Sequence, residues 1–251
     1  MPTALVTGPT AGIGRAFADA YARRGFDLVL VSRDVDRLER VADEVSGAYG
    51  VRCEVLPADL ADSDALARVE GRVADSRHPV EAVVNNAGYG MARWFGDTTV
   101  EEEQRGLDVL VRAPMRLSHA ALRQMLPHGG GELVNVSSVA GFTPRGSYGA
   151  HKAWLTSLTE WINIVYGDRG IKATAVCPGF VRTEFHQRAE LDLSKVPRWM
   201  WLQADRVVEE AMRDLLAGKA VSIPSRRYRL LTRASRLLPR RAVAQVARRG
   251  R

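Results

Sequence analysis

The sequence predicts the α/β class, with a doubly wound parallel sheet of about seven strands covered by helices on both faces in a single domain. Three observations carry this. Short apolar runs alternate with amphipathic stretches almost from end to end. A glycine-rich turn separates the first run from the first amphipathic stretch, and no repeat or low-complexity linker divides the chain. At 251 residues, such a chain buries one large core.

The elements follow in order. Residues 3–7 form the first apolar strand, and 13–24 a helix with Phe17, Ala20 and Tyr21 on one side. Strand 27–31 leads to helix 34–46, strand 51–57 to helix 63–76, and strand 80–85 to a long helix over 100–125. Proline lacks an amide donor and crowds the preceding turn, so this helix should bend near Pro114. Strand 131–137, helix 148–166, strand 172–177, helix 207–216 and a short strand at 220–223 complete the alternation.

The net charge of +7 is unevenly spread. From Pro224 to Arg251 there are ten arginines and no Lys, Asp or Glu, which leaves −3 on residues 1–223. We therefore divide the chain into a 1–223 body and a 224–251 arginine-rich, helical extension. No apolar run reaches the roughly 20 residues of a membrane span. The start carries no signal-peptide pattern, so a cytoplasmic protein is expected. Cys53 and Cys177 lie far apart in strand-like runs and read as reduced, buried thiols, with no metal site.

Gly8, Gly12 and Gly14, with Thr10 and Ile13 between them, follow a strand and open a helix. In that context the bare backbone can approach a pyrophosphate, and the helix N-terminus supplies N–H groups and positive dipole. Such a cluster can also be a simple tight turn. At the end of the second strand, where a carboxylate would contact the ribose hydroxyls of NAD, stand Ser32 and Arg33. Loss of that carboxylate removes repulsion toward a 2′-phosphate, which a guanidinium can pair. Arg37, one turn into the next helix, could assist. The local chemistry favours NADP(H) over NAD(H).

Six motifs occur in one order: Thr7-Gly8 through Gly14; Asp59-Leu60; Asn85-Asn86-Ala87-Gly88; Asn135-Val136-Ser137-Ser138; Tyr148 with Lys152 four residues on; and Pro178-Gly179-Phe180-Val181 with Thr183. Together they resemble the short-chain dehydrogenase/reductase family over residues 3–223, whose fold is Rossmann-type. The resemblance implies that Tyr148 is the proton donor, Ser138 the hydrogen-bond donor to the substrate oxygen, and Lys152 both a partner of the phenol and a holder of the nicotinamide ribose. On one helix face at i+4, Lys152 is expected to lower the Tyr148 pKa. The resemblance also implies that Asp59 and Leu60 meet adenine, that Asn86, Ala87 and Gly88 line the cofactor cleft, and that Pro178, Gly179, Val181 and Thr183 hold the carboxamide side. It suggests a homodimer or homotetramer through helices 100–126 and 148–166.

Two departures stand out. Leu110 occupies the place where the family carries an asparagine that anchors a water, and the Ser138–Tyr148 segment is a few residues short. Leu110 supports an alternative reading, a catalytically weak or non-catalytic nucleotide-binding regulatory protein. Tyr89, Met91, Trp94, Phe95, Phe142 and the segment 185–202, with Trp199, Met200 and Trp201, are candidate walls for a hydrophobic carbonyl or alcohol. They could equally fill core or a subunit contact. In the tail, the apolar residues are expected to pack on the body with the arginines facing water, ahead of membrane-surface contact. Nucleic acid is not expected, because the body is acidic and no base-reading motif is present.

Overall fold

In this computed structural model, residues 1–91, 93–185 and 196–237 are described. The strands are β1 (Thr3–Thr7), β2 (Asp27–Ser32), β3 (Cys53–Pro57), β4 (Ala82–Asn85), β5 (Gly131–Val136), β6 (Ile171–Val176) and β7 (Val221–Ser222). Among the described residues the helices are α1 (Gly12–Arg23), α2 (Val35–Tyr49), α3 (Ser63–Ala74), α4 (Val100–Leu107), α5 (Ala113–Met125), α6 (Gly146–Tyr166), α7 (Ala204–Leu216) and α8 (Arg226–Leu237). All strand pairs are parallel, in the order β3–β2–β1–β4–β5–β6–β7.

Alternation along the strands divides the core into two layers. Ala4 and Val6 of β1 face Phe17 and Tyr21 of α1, Leu38 of α2 and Leu215 of α7. Leu5, between them, faces Leu66 of α3, Leu117 and Met125 of α5 and Ile162 of α6. Each such leucine or phenylalanine contributes about 1.5–3 kcal/mol when fully buried. The strand order reverses between β1 and β4, and this opens a crevice beyond their C-terminal ends.

The long fourth helix is interrupted just before Pro114: a π-helical turn at Asp108–Arg112 separates α4 from α5. Proline at 114 cannot donate an amide and crowds the carbonyl of Leu110, and one wider turn just before it relieves both problems. The tail differs from expectation. Tyr228 and Thr232 face the body, while Leu230 is 67% and Leu231 46% exposed. An aromatic anchor, not a leucine face, holds α8 in place. The expected outward arginines are there, but the leucines stand among them.

Candidate active site

The crevice is built from adjacent strand ends. Thr7 Oγ1 accepts from Asn86 N (3.0 Å) and Ala87 N (2.9 Å) and donates to Val84 O (3.3 Å). In return, Asn86 Nδ2 donates to Thr7 O (2.9 Å) and Gly8 O (3.0 Å), and Gly8 N donates to Val31 O (2.8 Å). The turn is thereby fastened to β2 and β4. A Cβ on Gly14 would collide with Gly8 O and Asn86 Nδ2, so α1 can lie this close only with glycine there. Thr10 is partly buried in the turn, and Ile13 leans on the core.

Helix α1 starts without a side-chain cap and with no acid in its first turn. By contrast, α2, α3 and α4 are capped by Asp34, Asp62 and Thr99. Uncapped N–H groups at the positive end of a helix, above a turn with no side chains, fit a pyrophosphate.

At the opposite end of the crevice, Ser32 closes β2 and Arg33 is exposed, with no carboxylate in ion-pair range among the described residues. Arg37 is already engaged, pairing with Glu184 (2.9 Å) and Asp34 (3.5 Å). Asp59 accepts from Arg105 Nη2 (2.7 Å) and Ala61 N (3.0 Å). Burial alone would raise its carboxyl pKa, but these bonds and the charges of Arg105 and Arg33 outweigh burial and hold it below the usual range. The Leu60 side chain belongs to the core layer.

Ser138 ends the segment after β5, and Tyr148 and Lys152 sit on the first turns of α6. What fixes α6 here is a buried polar seam. Ser137 Oγ donates to Lys152 O (2.7 Å) and meets Thr156 Oγ1 (2.7 Å), and Asn135 Nδ2 donates to Thr159 Oγ1 (2.8 Å). Ser138 Oγ accepts from Ala140 N (3.1 Å) and lies beside the Tyr148 phenol, where it favours the ionised form.

The electrostatics differ from the simple i+4 expectation. Burial pushes the Tyr148 phenol up to about 12, with Ser138 and Arg145 pulling the other way. Burial lowers Lys152 to about 8. Its ammonium donates to Val136 O (2.7 Å) and lies 5.8 Å from the Tyr148 ring centroid. The two side chains share a helix face, but the lysine stem runs to a backbone carbonyl, and desolvation dominates both groups. Leu110, in the π-helical turn, is fully buried against Gly88. With Lys152, Asn85 and Thr7 it lines a cavity of about 10 Å³.

After β6, the chain from Pro178 to Thr183 forms the other wall. Val181 is buried and bridges Leu202; Leu202 N donates to Phe180 O (2.8 Å) and Arg182 N to Leu202 O (2.9 Å). The Thr183 side chain lies against Gly12. The Tyr228 ring occupies the space that a side chain at 179 would need. Its hydroxyl accepts from Phe180 N (3.1 Å) and donates to Met200 O (2.9 Å), while Arg227 Nη1 donates to Trp199 O (2.8 Å).

Of the expected pocket walls, Phe185 stands 6.2 Å from the Tyr148 ring, and Met91 contacts Ser147 and Gly106. Trp94, Phe95 and Trp199 are at least half exposed. Residues 186–195 of the lid segment lie outside the described residues. Thr7 and Ser137 belong to the sequence motifs but carried no assigned role there, and Thr156 and Tyr228 were not singled out as site residues; nothing local marks Tyr228 within the arginine-rich tail.

Comparison with known proteins gives a consistent result. The family described as short chain dehydrogenase matches residues 2–193. The oxidoreductase UcpA of Salmonella typhimurium is 32% identical over 185 residues, covering 72% of this chain and 70% of its own. A short-chain dehydrogenase from Sphingobium yanoikuyae, solved in complex with NADPH, has a TM-score of 0.85 at 34% identity, covering 94% of each chain. A bulky-bulky ketone specific alcohol dehydrogenase from Comamonas testosteroni has a TM-score of 0.81 at 31% identity, covering 94% of this chain and 92% of that one. The family match and the seven-strand sheet agree: this chain belongs to the short-chain dehydrogenase/reductase family of oxidoreductases, which use nicotinamide cofactors.

Proposed function

We propose that this protein is an NADP(H)-dependent reductase that interconverts a bulky hydrophobic ketone or aldehyde with its alcohol, with Ser138, Tyr148 and Lys152 as the catalytic residues. The observation that carries the reading is Ser138 beside the Tyr148 phenol, with buried Lys152 lining a cavity together with Thr7 and Asn85 at the ends of β1 and β4.

In this reading, Gly8, Thr10, Gly12, Ile13 and Gly14 hold the pyrophosphate. Ser32 and Arg33 take the 2′-phosphate, with Arg37 tied to Glu184 and so a lesser contributor. Asp59 and Leu60 bound the adenine site, Asn86, Ala87 and Gly88 line the floor, and Pro178, Gly179, Val181 and Thr183 hold the carboxamide. When bound, the nicotinamide supplies a hydride to the carbonyl carbon. Tyr148 Oη donates its proton to the carbonyl oxygen, and its high pKa keeps that proton in place at neutral pH. Ser138 Oγ donates a hydrogen bond to the same oxygen and steadies the developing alkoxide. Lys152 carries the positive charge that favours the resulting phenolate.

The exposed Arg33, the lack of a carboxylate at the end of β2, and the NADPH complex of the Sphingobium relative support NADP(H). Phe185 near Tyr148, together with the ketone range named for the Comamonas relative, supports a bulky apolar substrate. Trp154, Trp161, Ile164, Leu107 and Met115 are exposed on α4–α6, and this supports a homodimer or homotetramer through those helices. A cytoplasmic location accords with the finding that no described helix is long and apolar enough to cross a membrane.

The test is consumption of NADPH and NADH over a panel of bulky ketones, with Tyr148→Phe alongside. Turnover should favour NADPH and fall by at least about a thousandfold in the variant, with NADPH still bound. Reductase activity persisting in Tyr148→Phe sinks the mechanism. The rival reading, a catalytically weak or non-catalytic nucleotide-binding regulatory protein, draws on Leu110 alone and requires little or no turnover by the wild-type chain.

A further inference from the structure

Helix α8 presents an outward face that nothing in the described residues covers. Its inner side is fixed by Tyr228 and Thr232, both less than a tenth exposed. Leu230 and Leu231 point away from the body, with Arg226, Arg227 and Arg233 around them. Beside α8 runs an open depression of about 900 Å³. It is lined by five arginines, among them Arg226, Arg229 and Arg233, by Leu230, and by one carboxylate, Glu210.

That carboxylate is already spent. It accepts from Ser225 N (3.1 Å) and lies 3.6 Å from Arg229. Arg226 and Arg233 have no carboxylate within ion-pair distance among the described residues. In sequence the pattern continues: after residue 237 come five more arginines, with Val243 and Val246 and no acid.

We propose that the outer face of α8 lies on an anionic phospholipid surface. Leu230 and Leu231 would enter the headgroup–acyl boundary, with the guanidinium groups on lipid phosphates. The combination selects this occupant. A face meant only for water has no use for two neighbouring exposed leucines, and arginines beside leucines are the pattern of an in-plane interfacial helix. A two-fold contact with a second copy would set the same uncompensated arginines against themselves. Clustered arginines gain attraction from an anionic leaflet that falls off within a Debye length, so the contact should be salt-sensitive. Through Tyr228 and Arg227, α8 also holds residues 180, 199 and 200, so the contact surface lies beside the substrate-side wall.

The experiment is co-sedimentation of the full chain with vesicles of phosphatidylcholine alone or mixed with phosphatidylglycerol. Wild type should bind the anionic vesicles at least about tenfold more strongly than the neutral ones, and should release them in high salt. Leu230→Glu with Leu231→Glu, and separately Arg226→Glu with Arg233→Glu, should each lose about tenfold in binding. Their thermal unfolding and NADPH binding should stay at wild-type values, so a folding defect or a failed cofactor assignment is read separately. Several results overturn the proposal: no preference for anionic vesicles, full binding by the leucine variant, or binding to an acidic protein but not to vesicles. The same holds if the leucine variant merely turns a dimer into a monomer in sedimentation velocity.

Discussion

The glycine turn and the substrate-side loop touch across one crevice, yet they are held by opposite means. Around Gly8, Asn86 donates through its backbone and side-chain nitrogens to Thr7 and Gly8, joining the ends of neighbouring strands. Around Phe180 and Met200, the restraint comes from Tyr228 in the last described helix. The cofactor half is held by contacts between strand ends; the substrate half is held by the C-terminal helix. One fold can therefore keep its nucleotide site constant while the tail sets the shape of the other wall.

The largest expected effect tests the rigid half. Gly14→Ala forces a methyl into Gly8 O and Asn86, which should destabilise the protein by about 1–3 kcal/mol and weaken NADPH binding at least about tenfold. The control is Gly47→Ala in α2, where nothing lies within 4 Å; it should stabilise by about 0.5–1 kcal/mol. Urea unfolding and NADPH fluorescence titration report both. Wild-type behaviour of Gly14→Ala would mean the turn is not the prebuilt cradle described.

A smaller effect tests the dependent half. Tyr228→Phe keeps the ring against Gly179 but leaves Phe180 N and Met200 O without their partner, a loss of about 1–3 kcal/mol. The ketone KM should rise several-fold, while the NADPH dissociation constant stays within about twofold. If both constants move together, the two halves are coupled and the contrast fails.

The smallest effect is one of pH. Burial puts Lys152 near 8, below its ordinary 10.5. In the free enzyme its ammonium is lost as pH rises through about 8, so kcat/KM for ketone reduction should fall there. Stability moves the other way. Between about 8 and 10.5 the unfolded chain holds the proton that the folded one has released, so this group makes unfolding harder as pH rises. In Lys152→Met both dependences should vanish, which stopped-flow reduction and denaturant titrations at several pH values can check.

Much of this site can be read in the chain. Strand-like runs alternating with amphipathic stretches dictate a parallel sheet, because each face must be covered. Gly8, Gly12 and Gly14 between a strand and a helix mark the phosphate turn, and the i+4 spacing puts Tyr148 and Lys152 on one side of α6. The spacing does not say where a flexible stem ends. Lys152 reaches Val136 O, and its expected effect on the phenol gives way to burial. Likewise Pro114 signals a disturbance, but packing decides that it takes the form of a π-helical turn at Asp108–Arg112.

The sequence by itself determined the class of fold, the order of the elements and the chemistry of the groups beside the crevice, since these rest on local periodicity and residue type. Tertiary structure alone decided which distant groups meet: Thr7 with Asn86, Ser137 with Thr156, and Tyr228 with Phe180 and Met200. It also turned the tail's leucines outward. Such contacts join residues far apart in the chain, and only the closing of the sheet and the burial of its two layers brings them within hydrogen-bond reach.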